Sequence, residues 1–271
     1  MAGSLHRQVG PAPLLLRWAV VAGFGVAWQL AALWIASPFL PPITDVLARA
    51  RELWLSGPPA TLFLSSELTT DLLPSLARLG AGWGLAVVAG VGLGVVLGLS
   101  GRLAAYVEPL VHFLRAVPPP ALVPLLVVVL GIGDGMKVAL IAFGVVWVIL
   151  LGTLDGVRSV DGVQLETARA FGIGRRRQVT GIVLPAAMPR VLAALRVSLA
   201  IGLILVVLSE MVAVGDGIGA RILTAQRGFR LVDMWAGILL LGLLGYGLNA
   251  ALSAVEARVL AWHRGAHEEA V

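Results

Sequence analysis

The chain contains no cysteine. That excludes disulfides, thiolate nucleophiles and cysteine-ligated metal sites. It has one lysine, Lys137, which follows Met136 instead of glycine, so the Gly-Lys-Ser/Thr end of a nucleotide-binding P-loop is missing. Histidine is nearly as scarce. His6, His112, His263 and His267 are the full set, none sits in a His-Glu-x-x-His arrangement, and no serine pairs with a histidine on adjacent turns of an apolar run. An enzyme needing a nucleophile, a base or a metal finds little here, and neither a bound metal nor a cofactor is expected. Charge is also short: 13% of residues are charged and 59% are apolar, against about 25% and 45–50% in soluble domains. The net charge of +5 would suggest nucleic acid in a soluble protein. Here the arginines border apolar runs, where they set topology, so nucleic acid is not an expected partner.

What is present is apolar sequence in segments. Trp18–Ile35, Leu79–Leu99 and Met234–Val255 carry no charge and approach the ~20 residues that cross a hydrocarbon core as a helix. Val138–Leu154 is slightly shorter. Ala116–Ile132 is uncharged but has three prolines near its start, and Ala187–Val214 carries Arg190, Arg196 and Glu210. Transmembrane β-strands would alternate with period two, and these runs do not. The expectation is an all-α polytopic membrane protein with six transmembrane helices. Residues 1–36 form an N-terminal stretch and first span; further spans fall at about 75–100, 108–132, 136–154, 187–214 and 232–256. The first run is longer than a signal-peptide core and ends in large residues, so it reads as a retained span. With the N-terminus inside, thirteen of the twenty basic residues fall in inner segments and seven in outer ones. This orientation places both termini in the cytoplasm.

Three further features carry expectations. "ITDVLARARELW" puts Val46, Leu47, Ala50, Leu53 and Trp54 on one helical face, with Thr44 as its N-cap. The glycines of "GAGWGLAVVAGVGLGVVLG" mimic a nucleotide fingerprint, but no strand precedes them; on a membrane helix they let neighbouring backbones approach. Pro118, Pro119 and Pro120 cannot continue a regular helix. They mark either a broken span beside a translocation path, whose freed carbonyls need protein or water, or the first turn of a new helix.

Glu210 is the one carboxylate inside a span. A charge at mid-bilayer costs at least ~2.5–3.5 kcal/mol, so Glu210 either lines the path or is structural or solvated near the span's end. Arg196 is an awkward partner, 14 residues away, or about 21 Å along a helix. Arg221, Arg227 and Arg230 could attract anions, pair with Asp216 and Asp233, or meet a partner protein.

"ETARAFGIGRRRQVTGIVLP" (166–185) breaks the apolar pattern. Asp161 can cap a helix from Gly162 to about Phe171, Glu166 can pair with Arg169, and Gly172 and Gly174 supply positive φ. A short stretch over 175–183 then stops before Pro185. This is a helix–turn–helix elbow over 159–185, suited to docking a partner or to resting on anionic lipid. Glu166-Thr167-Ala168, three residues, Gly172, nine residues, then Ile182-Val183-Leu184-Pro185 resembles the signature loop of ABC importer membrane subunits. That loop reads Glu-Ala-Ala, Gly and Ile-x-Leu-Pro at the same spacing; Thr167 is the one departure. "FLPPITDVL", "FLRAVPPPALVPLL" and "VVLSEMVAVGDGIG" also resemble permeases for nitrate, aliphatic sulfonates and taurine.

The resemblance implies a type I importer transmembrane domain over 37–271, in a bacterial inner membrane. Glu166, Thr167, Ala168, Phe171 and Gly172 would dock in a cytoplasmic ATPase, and Ile182, Leu184 and Pro185 would join the elbow to the fifth span. The implied partners are two ATPase subunits that use the ATP, a second copy of this chain, the bilayer, and a periplasmic or lipid-anchored binding protein. An ion-coupled secondary transporter using Glu210 is the alternative. It leaves the elbow unexplained, and only one proline-broken span stands out where paired halves would show two.

Overall fold

The computed structural model describes residues 11–212 and 215–261. Residues 1–10, 213–214 and 262–271, on which the expected termini and the end of the fifth span partly rest, lie outside the described residues. Every regular element among the described residues is helical. Five stretches are long and apolar enough to cross a membrane: Trp18–Ile35, Pro59–Leu99, Asp134–Arg158, Arg175–Val212 and Leu231–Val259. A sixth forms if the bent pair Gly101–Ala116 and Pro119–Leu130 counts as one span.

Three helices make the core: α3 (Ser66–Leu99), α6 (Asp134–Arg158) and α9 (Leu184–Val212). Every fourth residue on one face of α3 is small: Gly82, Ala86, Gly90, Gly94 and Gly98. A Cβ added to Gly82, Gly90 or Gly94 would lie 2.7, 2.9 or 2.6 Å from the Cβ of Ile141, Ile149 or Thr153 of α6. The glycine run is therefore a packing surface, as small residues are in membrane helix pairs. On α6, Gly144, Gly152 and Gly156 make room for Leu205, Ala194 and Ala187 of α9. Ile141, Val145 and Ile149 are fully buried between the three helices.

The remaining helices surround this core. α1 (Pro11–Ile35) keeps an apolar, exposed surface, with Phe24 68% and Trp34 88% exposed, as lipid-facing spans require. Trp28 Nε1 donates to Pro41 O at 3.0 Å, and its ring meets Trp235 edge-on at 4.9 Å. α2 (Ile43–Trp54) buries Val46, Leu53 and Trp54, but Leu47 stays half exposed. Thr44 is not its cap: Pro42 holds that position without a side-chain bond, and Thr44 Oγ1 accepts from Gln29 Nε2 at 3.3 Å instead. Gln29 Oε1 of α1 accepts from Thr44 N at 3.3 Å, taking one of the orphan donors that a cap would otherwise satisfy. Arg49 of α2 reaches Asp233 at 2.6 Å, at the start of α11 (Leu231–Val259).

The expected span over 108–132 falls on two helices. α4 (Gly101–Ala116) stops where Val117 turns extended before Pro118; a 3-10 turn over Pro119–Leu122 leads into α5 (Val123–Leu130), and the pair bends by 83°. The prolines therefore both end α4 and open the next helical turn, with Pro118 at its cap and Pro119 and Pro120 in its first positions. Their steric effect on the preceding residue explains the extended Val117.

Candidate functional site

The elbow is built from caps. Val163 N donates to Asp161 Oδ1 at 2.9 Å, opening α7 (Gly162–Ala170). At its end Gly172 N donates to Arg169 O and Ile173 N to Ala168 O, both at 2.9 Å, with Gly172 at φ +68. This paired closure needs a left-handed residue, for which glycine carries no steric penalty. Gly174 does not share that role: its φ is −63, and it opens α8 (Arg175–Gln178). Gln178 Nε2 donates to Ile173 O at 2.7 Å, and a π turn over Val179–Val183 runs into α9.

One side of the elbow is fixed to the core. Leu165 and Val160 pack on a cluster of Val157, Val183, Ala187 and Val191, so the elbow is seated where α6 ends and α9 begins. Arg190 Nη1 donates to Asp155 O across the same joint at 3.1 Å. Ala168 is buried, whereas Glu166, Thr167 and Gly172 are exposed and the ring of Phe171 is 81% exposed. Ile182, Leu184 and Pro185 are half-buried at the junction with α9. The anticipated Glu166–Arg169 pair does not form: neither residue has an ion-pair partner among the described residues. The elbow thus has a fastened back and a free front that includes Glu166 and Phe171.

The proline break rests on the core near mid-span. Gly144 of α6 lies against Pro119, whose Cγ would be 3.1 Å from a Cβ placed there. Pro119 is half-buried, and Pro118 and Pro120 are exposed. Past the break, α5 presents Leu125, Val128 and Val129 with more than half their surface free.

Glu210 is neither solvated nor open to a channel in this conformation; it is 0% exposed. Its carboxylate accepts from Ser75 Oγ at 2.7 Å, Arg78 Nη1 at 2.8 Å and Gly219 N at 2.9 Å. Arg78 is itself 4% exposed and also binds Asp134 at 2.7 Å and Asp216 at 2.6 Å. One guanidinium therefore ties α3 to α6, to α9 and to the loop entering α10 (Ile218–Arg227). Gly217, at φ +111, is packed so closely on the Glu210 carboxyl that a Cβ would collide with it. The Arg78 hydrogen bond holds the Asp216 carboxyl below its ordinary range, against a smaller opposing effect of burial, and buried Lys137 adds a favourable charge. This contact is intact above the usual carboxylate pKa of about 3.9 and fades only as pH falls below it.

Sequence reasoning missed Arg78, Ser75 and Asp134. Arg78 borders an uncharged run and resembles a topology charge; only its near-total burial reveals the role. Asp216 pairs with Arg78, not with the Arg221 group. Arg221 instead binds Glu67 and Asp71, and burial opposes its charge less than these carboxylates favour it, so its pKa is raised. Arg196 pairs with Glu256.

A core of three close-packed spans, a broken span and a capped elbow between the fourth and fifth spans define the transmembrane domain of a type I ABC importer. The solved structure of the MetNI methionine ABC transporter in inward-facing form has this fold, with a TM-score of 0.60 at 22% identity over 70% of this chain and 94% of that one. A crystal structure of an amino acid ABC transporter follows at TM-score 0.54 and 14% identity, over 73% and 92%. Residues 86–261 match the family described as binding-protein-dependent transport system inner membrane component, and the chain belongs to it. The taurine transport system permease of Escherichia coli (strain K12) is 32% identical over 88% of this chain and 86% of its own. A putative aliphatic sulfonates transport permease of Bacillus subtilis (strain 168) is 29% identical over 93% and 85%. The bicarbonate transport system permease of Synechococcus elongatus is 29% identical over 87% and 86%. The protein is an ABC transporter permease, a membrane subunit of a transport system.

Proposed function

We propose that this chain forms the translocation path of an importer for a small anion and takes its energy from a separate ATPase through the elbow. The observation that carries this reading is the elbow's two-sided character. Its back is seated on the α6–α9 joint, so force on its front would reach two core spans directly. The front offers Glu166, Thr167, Phe171 and Gly172 to a partner. Residues 37–271 act as the transport domain and 159–185 as the coupling segment. Two ATPase subunits, a second copy of this chain and an external binding protein complete the system. The basic-residue balance supports an elbow, and both termini, in the cytoplasm. Relatives named for taurine, aliphatic sulfonates and bicarbonate support an anionic substrate. The path runs past the broken α4–α5 span, with Pro118, Pro119 and Pro120 at its bend. Glu210 acts as a brace for the surrounding spans, since three donors from α3 and α10 hold its carboxylate.

The test is Gly172→Trp in cells that depend on uptake of the substrate. A Cβ at Gly172 meets nothing within 4 Å, but at φ +68 any L side chain strains the α7 cap by about 1–3 kcal/mol. That cost is local to the elbow, so the spans should still insert while uptake and ATPase association are lost. Unaltered uptake would remove the elbow's role.

A further inference from the structure

Behind the elbow lies a crevice of about 550 Å³. Its floor is formed by the last residues of two spans, Leu99 of α3 and Val157 of α6, with Val183 where α9 begins. Leu165 of α7 adds to the apolar wall. At the rim stand Arg169, Arg175 and Gln178. Arg169 and Arg175 are exposed and have no carboxylate within ion-pairing distance among the described residues. Gln178 Nε2 gives one of its two N–H groups to Ile173 O, so the two guanidiniums supply the charge and most of the free donors.

We propose that this crevice binds the phosphodiester headgroup of an acidic phospholipid, with the start of an acyl chain along Leu99, Val157 and Val183. Three features point to that ligand. The crevice sits at the ends of spans, which is the headgroup level of a bilayer. It joins an apolar wall to two unpaired cations, matching a group that is anionic at one end and hydrocarbon at the other. Basic pockets between membrane helices hold acidic headgroups by this arrangement, and arginine suits phosphate because its planar fork can donate twice. A lipid held there would touch α3, α6, α7, α8 and the π turn leading into α9 at once and steady the back of the elbow. The site does not depend on which substrate is transported, and its test needs no transport.

The experiment is native mass spectrometry of the purified full-length chain in mild detergent, titrated with phosphatidylglycerol or phosphatidylcholine. The chain should retain one phosphatidylglycerol preferentially. Each guanidinium near a headgroup contributes roughly fivefold, so Arg169→Gln with Arg175→Gln should weaken retention by about 25-fold. Arg176→Gln with Arg177→Gln removes two neighbouring charges outside the crevice and should leave retention unchanged. Equal retention of the two lipids would overturn the proposal, as would an equal loss in the Arg176/Arg177 variant. Inorganic phosphate is the third arm: if it displaces phosphatidylglycerol at millimolar concentration, the occupant is a free anion and the lipid assignment fails.

Discussion

At the scale of single residues, Arg78 is the position on which the charge balance of the buried end depends. Its guanidinium faces carboxylates from α6, α9 and the α9–α10 loop, separated from it in sequence by 56, 132 and 138 residues. Replacing it by methionine strands the Glu210 carboxylate without a cation, and breaking a buried pair from one side costs about 3–5 kcal/mol. Glu210→Gln should be milder, because the amide still accepts from Ser75 or Gly219 while Arg78 keeps Asp134 and Asp216. Thermal unfolding in detergent compares the two; an equally stable Arg78→Met protein would show that the cluster braces nothing. Glu210 stood out in the sequence as a charge within a span, but its partners did not. Pairing at such separations leaves no local pattern, and a charge at a span boundary is the commonest kind of charge in a membrane protein.

At the scale of helices, the α3–α6 contact depends on backbone approach. Gly90→Val would set a Cβ only 2.9 Å from that of Ile149, whereas the same change at Gly92 meets nothing within 4 Å. Overpacking costs about 1–3 kcal/mol or more. The Gly90 variant should therefore lose folded protein on detergent extraction and the Gly92 variant should not; equal yields would contradict the packing. Gly144 tests the broken span: Gly144→Leu pushes Pro119 and Leu205 away and should lower uptake more than it lowers insertion, read as transport per folded molecule. The spans themselves were legible, because apolar length is a direct record of bilayer thickness. The interruption at the prolines was legible, and both readings of it meet in the structure: α4 ends there and a new helical turn begins. Its 83° bend was not, since nothing local to the prolines specifies the distant helix they rest on, here α6 at Gly144.

At the scale of the whole molecule, the close-packed α3–α6–α9 core and the elbow seated on it are proposed to act as one lever. The elbow was the most legible feature, because its caps are local: Asp161, Gly172 and the spacing between them determine it without distant contacts. Its free front, with Phe171 81% exposed, was not readable from periodicity, since exposure depends on which face α6 and α9 cover. If the lever works as proposed, this front is where a separate ATPase docks. Gentle purification of the tagged chain from its host, with quantitative mass spectrometry of its companions, decides the point. A near one-to-one ATPase is expected in the wild-type eluate, and its loss with Gly172→Trp; a chain that purifies without any ATPase, even with ATP trapped, would contradict the docking role.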